Sequence, residues 1–421
     1  MAPKTWEENG IRAFPMSSKD SKNMNTAELV TIKEVGSLLR EQRRSVNVIL
    51  NCTEAGEGQV FLVASVFGEE EASRAARDAY SRIAEALSRR SMTIVHERIF
   101  GSLGAEAIVL RERKDALFMQ QVPSGGPITY IAADPPWGEG FSGVIIRAVS
   151  SKDTDDVWTI MDDDVPCGRG WRRSGVTYLQ LQNIQEQGGS RPDQVRGILE
   201  SAEGILRRNG ATYKDVARTW FYLSDILDWY ADFNKARSEK YGEFGIMPGP
   251  VEATLLLPAS TGIGVSVPSG AAASMNLLAV MENEGRPSRV RKLTNPGQLD
   301  AFRYGAAFSR GAIIEEDDAT LIQVSGTAAI DEHGVSLYPG DIRSQVICTL
   351  DKIETLLKQE DAGLADICAA TVFIKRPEYE EVFKEVVADR GLADLPVVCV
   401  VADVCREELL FEIDAEAAVK K

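Results

Sequence analysis

Histidine is scarce in this chain, with only His96 and His333 among 421 residues. His333 sits in a turn-like DEHG segment. A Ser-His-Asp triad or a histidine-built metal site therefore has few parts to use. There is no GxxxxGK[ST] loop, and no GxGxxG lies between a strand and a helix, so neither nucleotide nor metal is expected, and no other cofactor. No run of about 18 apolar residues is available to span a membrane. The first residues, MAPKTWEENGIRAF, lack the apolar stretch of a signal peptide. The expected compartment is the cytosol, with no membrane partner. Six cysteines, Cys52, Cys167, Cys348, Cys368, Cys399 and Cys405, form no CxxC pair and read as reduced packing residues. Positive charge is also in deficit: 47 basic against 63 acidic side chains leave a net charge of −16, which repels phosphate backbones and argues against a nucleic-acid partner.

What is present is the composition of a globular protein, 44% apolar and 26% charged, in a chain long enough for two to four domains. Its firmest feature is a repeat. The segments 193–223 and 344–374 align without gaps at an offset of 151 residues, with seven of 31 positions identical, among them Gln194/Gln345, Leu199/Leu350, Glu203/Glu354 and Asp215/Asp366. The physical pattern repeats with the letters. Val195, Ile198, Leu199, Ala202, Ile205 and Leu206 fall on one helical face, as do Val346, Leu350, Ile353, Leu356 and Leu357. Each helix leads into a short apolar run, VARTWFYL (216–223) or ICAATVFI (367–374), whose β-branched and aromatic content predicts a strand.

A second amphipathic helix follows in both copies, around Ile226 to Phe233 and Tyr379 to Val386. Strands are predicted before the first helix (176–184 and 320–330), after the second (252–264 and 395–404), and at the close of each unit (275–281 and 409–415). A weaker copy precedes these, with strands at 60–67 and 93–103 flanking a helix at 74–90. The fold class is α/β, a mixed sheet with two helices on one face, repeated in tandem. The expected layout is an N-terminal extension to residue 45 and units at 46–150, 151–285 and 286–421.

The stretch VSGTAAIDEHG followed by GDIRSQV and TLDKIETLL resembles the RidA/YjgF superfamily, also labelled endoribonuclease L-PSP. FRYGAAFSRG (302–311), VSGTAAI (324–330), PASTGIG (258–264) and DVCREELLFEID (403–414) are similar to its chorismatase-like branch, which hydrolyses the enol ether of chorismate. The resemblance implies chorismate mutase-like α+β modules, which associate as trimers with sites between neighbouring sheets. Three fused units then imply an intrachain pseudo-trimer, either monomeric or in a low-order homo-oligomer, with a small carboxylate-bearing metabolite as ligand.

Alternation in LLFEIDAEA puts Phe411, Ile413 and Ala415 on one face and Glu412 and Asp414 on the other, the apolar face toward the helices. The resemblance puts a functional glutamate where Glu412 stands and makes it the expected acid. In the second unit the matching stretch is MNLLA, with Asn276 nearest in register. Typical relatives carry a carboxylate-binding arginine two residues after the strand proline; here those positions are Ser260 and Val398. Arg303, Arg310 and Arg218 are the arginines expected in its place. Ser260 and Thr261 offer hydroxyls for an anion-accepting lip, and Cys405 is expected to line the pocket. The reading is enol-ether hydrolysis releasing pyruvate. A RidA-type imine or enamine deaminase and a non-enzymatic metabolite-binding or scaffold protein are the alternatives.

Overall fold

The computed structural model describes residues 47–68, 70–123, 126–150, 157–173, 175–247, 256–282 and 289–421. The expected N-terminal extension, the start of the 252–264 strand and the 285/286 boundary lie outside them.

Three mixed sheets account for the described chain. Module one runs β1 (Val48–Glu54), β2 (Gln59–Val66), α1 (Ala72–Arg89), β3 (Met92–Gly101), α2 (Glu106–Met119), β4 (Thr129–Ala132) and β5 (Phe141–Ser150). Module two runs β6 (Val157–Asp162), β7 (Val165–Arg173), β8 (Val176–Gln185), α3 (Arg191–Arg208), β9 (Val216–Leu223), α4 (Ile226–Glu243), β10 (Ala259–Gly264) and β11 (Ala273–Glu282). Module three runs β12 (Val290–Leu293), β13 (Gly311–Glu315), β14 (Ala319–Ala328), α5 (Ile342–Leu357), β15 (Ile367–Ile374), α6 (Tyr379–Asp389), β16 (Val397–Val401) and β17 (Phe411–Lys420). The strand orders β1-β2-β5-β3-β4, β6-β7-β8-β11-β9-β10 and β12-β13-β14-β17-β15-β16 are one topology, shortened by one strand in module one. In each, the strand after the first helix pairs in parallel with the strand after the second, and the closing strand sits antiparallel at the centre.

Local chemistry explains the repeat's shape. Ser190 and Asp193 form a capping box at the start of α3, with Pro192 in the first turn, where a missing N–H costs nothing. The apolar stripes read from the sequence pack on their sheets: Val195, Leu199 and Leu206 meet Phe221 and Leu277, and Val346, Leu350 and Leu357 meet Val372, Phe411 and Ile413. Helix α2 went unrecognised in the sequence because its inward positions include Glu112 and Arg113, which pair with Arg77 and Glu97 and erase the apolar period.

The opposite sheet faces meet each other. A central core draws Phe61, Phe100 and Ile145 from module one, Trp171, Tyr178 and Trp220 from module two, and Leu321, Phe373 and Val400 from module three. Around it the contacts are cyclic. β4 of module one reaches module two, where Thr129 Oγ1 donates to Asn276 Oδ1 at 2.7 Å. β10 of module two reaches module three, with Ser260 N donating to Ser325 Oγ at 2.9 Å. β16 of module three closes the ring on module one, its Val397 carbonyl accepting from Ser65 Oγ. The chain is thus an intrachain pseudo-trimer with three clefts between neighbouring sheets. Among the described residues, no helix is long and apolar enough to cross a membrane.

Candidate active site between modules two and three

Strand register identifies equivalent positions in the three clefts. Glu412 pairs with Phe373 on β15, Ser274 with Tyr222 on β9, and Gly143 with Phe100 on β3. A β-bulge separates Met275 from Leu277 along the β11–β8 pairing, and the β17–β14 pairing shifts over Ile413 to Ala415. Ser274 is therefore the counterpart of Glu412, and Asn276 is the counterpart of Asp414, a correction of two residues to the register read from MNLLA. Only module three carries a carboxyl at this position; the others have a hydroxyl and a glycine.

Glu412 lies on β17 between β14 and β15, facing β10 of module two. It is 5% exposed and lines a small cavity with Tyr230, Arg237, Ser260, Gln298, Tyr304, Phe308, Arg310 and Cys405. Gly326 on β14 makes room for the carboxyl: a Cβ there would stand 2.2 Å from Glu412 Oε1. Among the described residues, no donor hydrogen-bonds this carboxylate. Burial, reinforced by the neighbouring Asp414 carboxylate, pushes its pKa up to about 8 against the opposing pull of Arg218 and Arg310. At neutral pH Glu412 is a buried acid holding its proton.

Two guanidiniums reach the same cavity. Arg310 is held by the Leu299 carbonyl (Nε, 3.1 Å) and by Tyr304 Oη (Nη2, 2.9 Å), and lies over the Phe308 ring at 5.3 Å. Arg237, from α4, donates to Asn234 Oδ1 at 2.7 Å and to Ser260 Oγ at 3.4 Å, and packs over Phe233 at 4.8 Å. Its buried Nε has no partner. Gln298 likewise has an unpartnered Oε1 at the cavity wall. Buried polar atoms left open in a cavity point to a polar ligand. The Cys405 thiol is pushed up to about 12, by burial first and then by Glu412, so it lines the wall as a neutral group rather than a thiolate.

Of the residues expected from the sequence, Glu412, Arg310, Ser260 and Cys405 come together here. Thr261 does not line the cavity. Its hydroxyl accepts from Gly326 N at 3.1 Å and from Arg218 Nη2 at 2.6 Å, and donates to Asp414 Oδ2 at 3.0 Å. Arg218 is spent behind the site on Thr261 and Asp414; burial lowers its pKa to about 10. Arg303 sits in a short turn, Ala301–Tyr304, with its guanidinium near the Phe302 ring at 5.9 Å, also outside the cavity. Arg237 escaped the sequence reading although a signal existed: it follows Tyr230 and Phe233 by seven and four residues, on the inward face of α4. α4 thus brings a guanidinium to Ser260, on the strand β10 that lacks an arginine there.

Among known proteins, residues 300–419 match the endoribonuclease L-PSP family model. A chorismatase of Streptomyces hygroscopicus is 28% identical over 274 residues, covering 60% of this chain and 74% of the relative. A 3-hydroxybenzoate synthase of the same organism is 26% identical over 229 residues, covering 48% of this chain and 63% of the relative. The crystal structure of a chorismatase at 1.08 Å superposes with a TM-score of 0.58 at 21% identity, covering 77% of this chain and 93% of the other, and shares the fold. Residues 300–419 are thus similar to the endoribonuclease L-PSP family, and the chain is similar to chorismatase-like proteins.

Proposed function

We propose that this protein is a chorismatase-like enzyme that hydrolyses the enol ether of chorismate or a related carboxylate metabolite. The observation that carries this reading is the buried Glu412 carboxyl, its pKa pushed up by burial, in a cavity also lined by Arg237 and Arg310. Enol ethers are cleaved by protonation at carbon, which demands an acid that keeps its proton at working pH and a site that holds anionic substrate beside it. Glu412 protonates the terminal methylene of the enolpyruvyl group, water adds to the resulting oxocarbenium carbon, and the hemiketal collapses to pyruvate and the ring alcohol. Arg237 and Arg310 hold the substrate carboxylates, and Gln298 Oε1 accepts from a substrate hydroxyl.

The names of the two curated relatives support this reading. Burial of Glu412 counts against a scaffold role. The absence of the strand arginine at Ser260 disfavours the imine deaminase reading. Incubation with chorismate is expected to release pyruvate, and the ring product tells which of the two named relatives the chemistry follows. Because the acid form is the active one, kcat is expected to hold below pH 7 and to fall tenfold per unit above about 8. Absence of pyruvate, or ammonia release from enamines instead, overturns the proposal.

Gly326→Ala offers a second check. The new methyl collides with the far end of the Glu412 side chain, which can swing aside without disturbing β14. The fold is expected to survive while kcat drops by about 100-fold, the usual cost of moving a reacting group by about an ångström. Unchanged turnover would mean that the observed carboxyl position is not the working one.

A further inference from the structure

Behind Glu412 lies a set of charges to which all three modules contribute. Asp414, the next residue on the same face of β17, is 1% exposed. Its Oδ2 accepts from Thr261 Oγ1 at 3.0 Å and faces Arg218 Nη2 of module two at 3.4 Å and Arg98 Nη1 of module one at 3.6 Å. The other terminal nitrogen of Arg98 reaches Glu416 at 3.5 Å, and Gln323 donates to the second oxygen of Glu416 at 3.1 Å. Trp220 lies between the guanidiniums, 5.1 Å from Arg98 and 4.7 Å from Arg218. Two cations thus balance two carboxylates, Asp414 and Glu416. Glu412 is the third carboxyl of the row, with no guanidinium of its own, and in so dry a setting an unbalanced charge is expensive.

We infer that module one takes part in the site of its neighbours through Arg98, which together with Arg218 anchors the Asp414 carboxylate, so that Asp414 acts as a positioning residue for Glu412. This rests on the proposed role of Glu412 as acid. Nothing in module one reaches the cavity itself; its contribution arrives through charge. The other groups facing Glu412 are Arg310, Arg237, Tyr304, Tyr230 and Cys405. Arg218 and Arg310 oppose the effect, and both are left untouched by the variants below.

The test is Asp414→Asn, nearly isosteric, with Arg98→Met and Arg98→Lys alongside. Glu412 ionisation is read in two ways: the alkaline limb of kcat, and infrared titration of the carboxyl band identified by its loss in Glu412→Gln. Asp414→Asn is expected to move both midpoints down by about one pH unit, so that activity at pH 8 falls about tenfold while the pH 5 plateau stays within about threefold. Arg98→Met removes a cation while Arg218 and Thr261 still hold Asp414, and is expected to shift both midpoints up, with Arg98→Lys restoring them. For Asp414→Asn, a lowered plateau with the limb in place, the mark of merely loosened packing, overturns the inference, as does an upward shift. If Asp414→Asn fails to fold, the Arg98 pair decides the question: midpoints that do not move in Arg98→Met overturn it. If the infrared midpoint moves but no substrate turns over, the inference stands and the proposed function falls.

Discussion

Replacing Glu412 with glutamine is expected to cost about 10²–10⁴-fold in kcat, the span general acids contribute, and at the same time to stabilise the protein. The sign follows from the raised pKa. The carboxyl's stabilising contribution is complete below the unfolded value of 4.5 and is lost as pH rises through about 8, because the native state resists ionisation that the unfolded chain accepts. A permanently neutral side chain avoids that loss, which amounts to up to about 3 kcal/mol at pH 7. Denaturant unfolding of the two proteins at pH 4.5, 7 and 8.5 should show a gap that opens with pH, alongside a pyruvate assay at each. A constant gap would mean that Glu412 is solvated in the native state and is not a tuned acid.

The second large effect is expected at Arg237. Its guanidinium is buried among Phe221, Phe233 and Phe308, with an Nε that has no hydrogen-bond partner. Loss of a buried, charge-assisted contact to an anion costs about 2–5 kcal/mol, or about 30- to 5,000-fold in affinity. Arg237→Met is therefore expected to raise KM and lower kcat/KM on that scale. The thioether chain fills the aromatic slot, so the thermal transition should move little. Arg237→Lys should not rescue binding, since an ammonium cannot reproduce the planar fork. A variant that loses thermal stability but keeps its KM would reassign Arg237 to packing.

Much of this was legible in the letters. β9 and β15 fall where the apolar runs 216–223 and 367–374 place them, because fully buried strands between turns leave a continuous apolar signature. Alternation, a rule that operates within one strand, put Glu412 and Asp414 on one face, and the family resemblance singled out Glu412. What the sequence hid are relations across strands and across helices. The position matching Glu412 was misassigned to Asn276 because the match is set by cross-strand pairing, Ser274 with Tyr222 and Glu412 with Phe373, which no letter of the closing strand marks. Arg218, expected at the ligand, meets Asp414 in the interior, while Arg237, which the sequence reading did not name, lines the cavity. Only the packing of α4 on β10 separates them. Helix α2 shows the same limit, since Glu112 and Arg113 face inward with their charges satisfied by partners distant in sequence.

The cyclic order of Gly143, Ser274 and Glu412 has a consequence for how such a site can be built at all. In a trimer of identical chains, any residue is installed three times, so a dry acid would impose its cost at every cleft and each wall would have to serve as both catalyst and support. Fusion removes that constraint. Two clefts are free to become adhesive surfaces, filled by Val398 against Gly143 and by Thr129 bonded to Asn276, and their cohesion supports the electrostatic strain concentrated in the third. The asymmetry is a division of labour: one chain keeps the rigidity of a threefold assembly while only one of its three seams carries a carboxyl at this position.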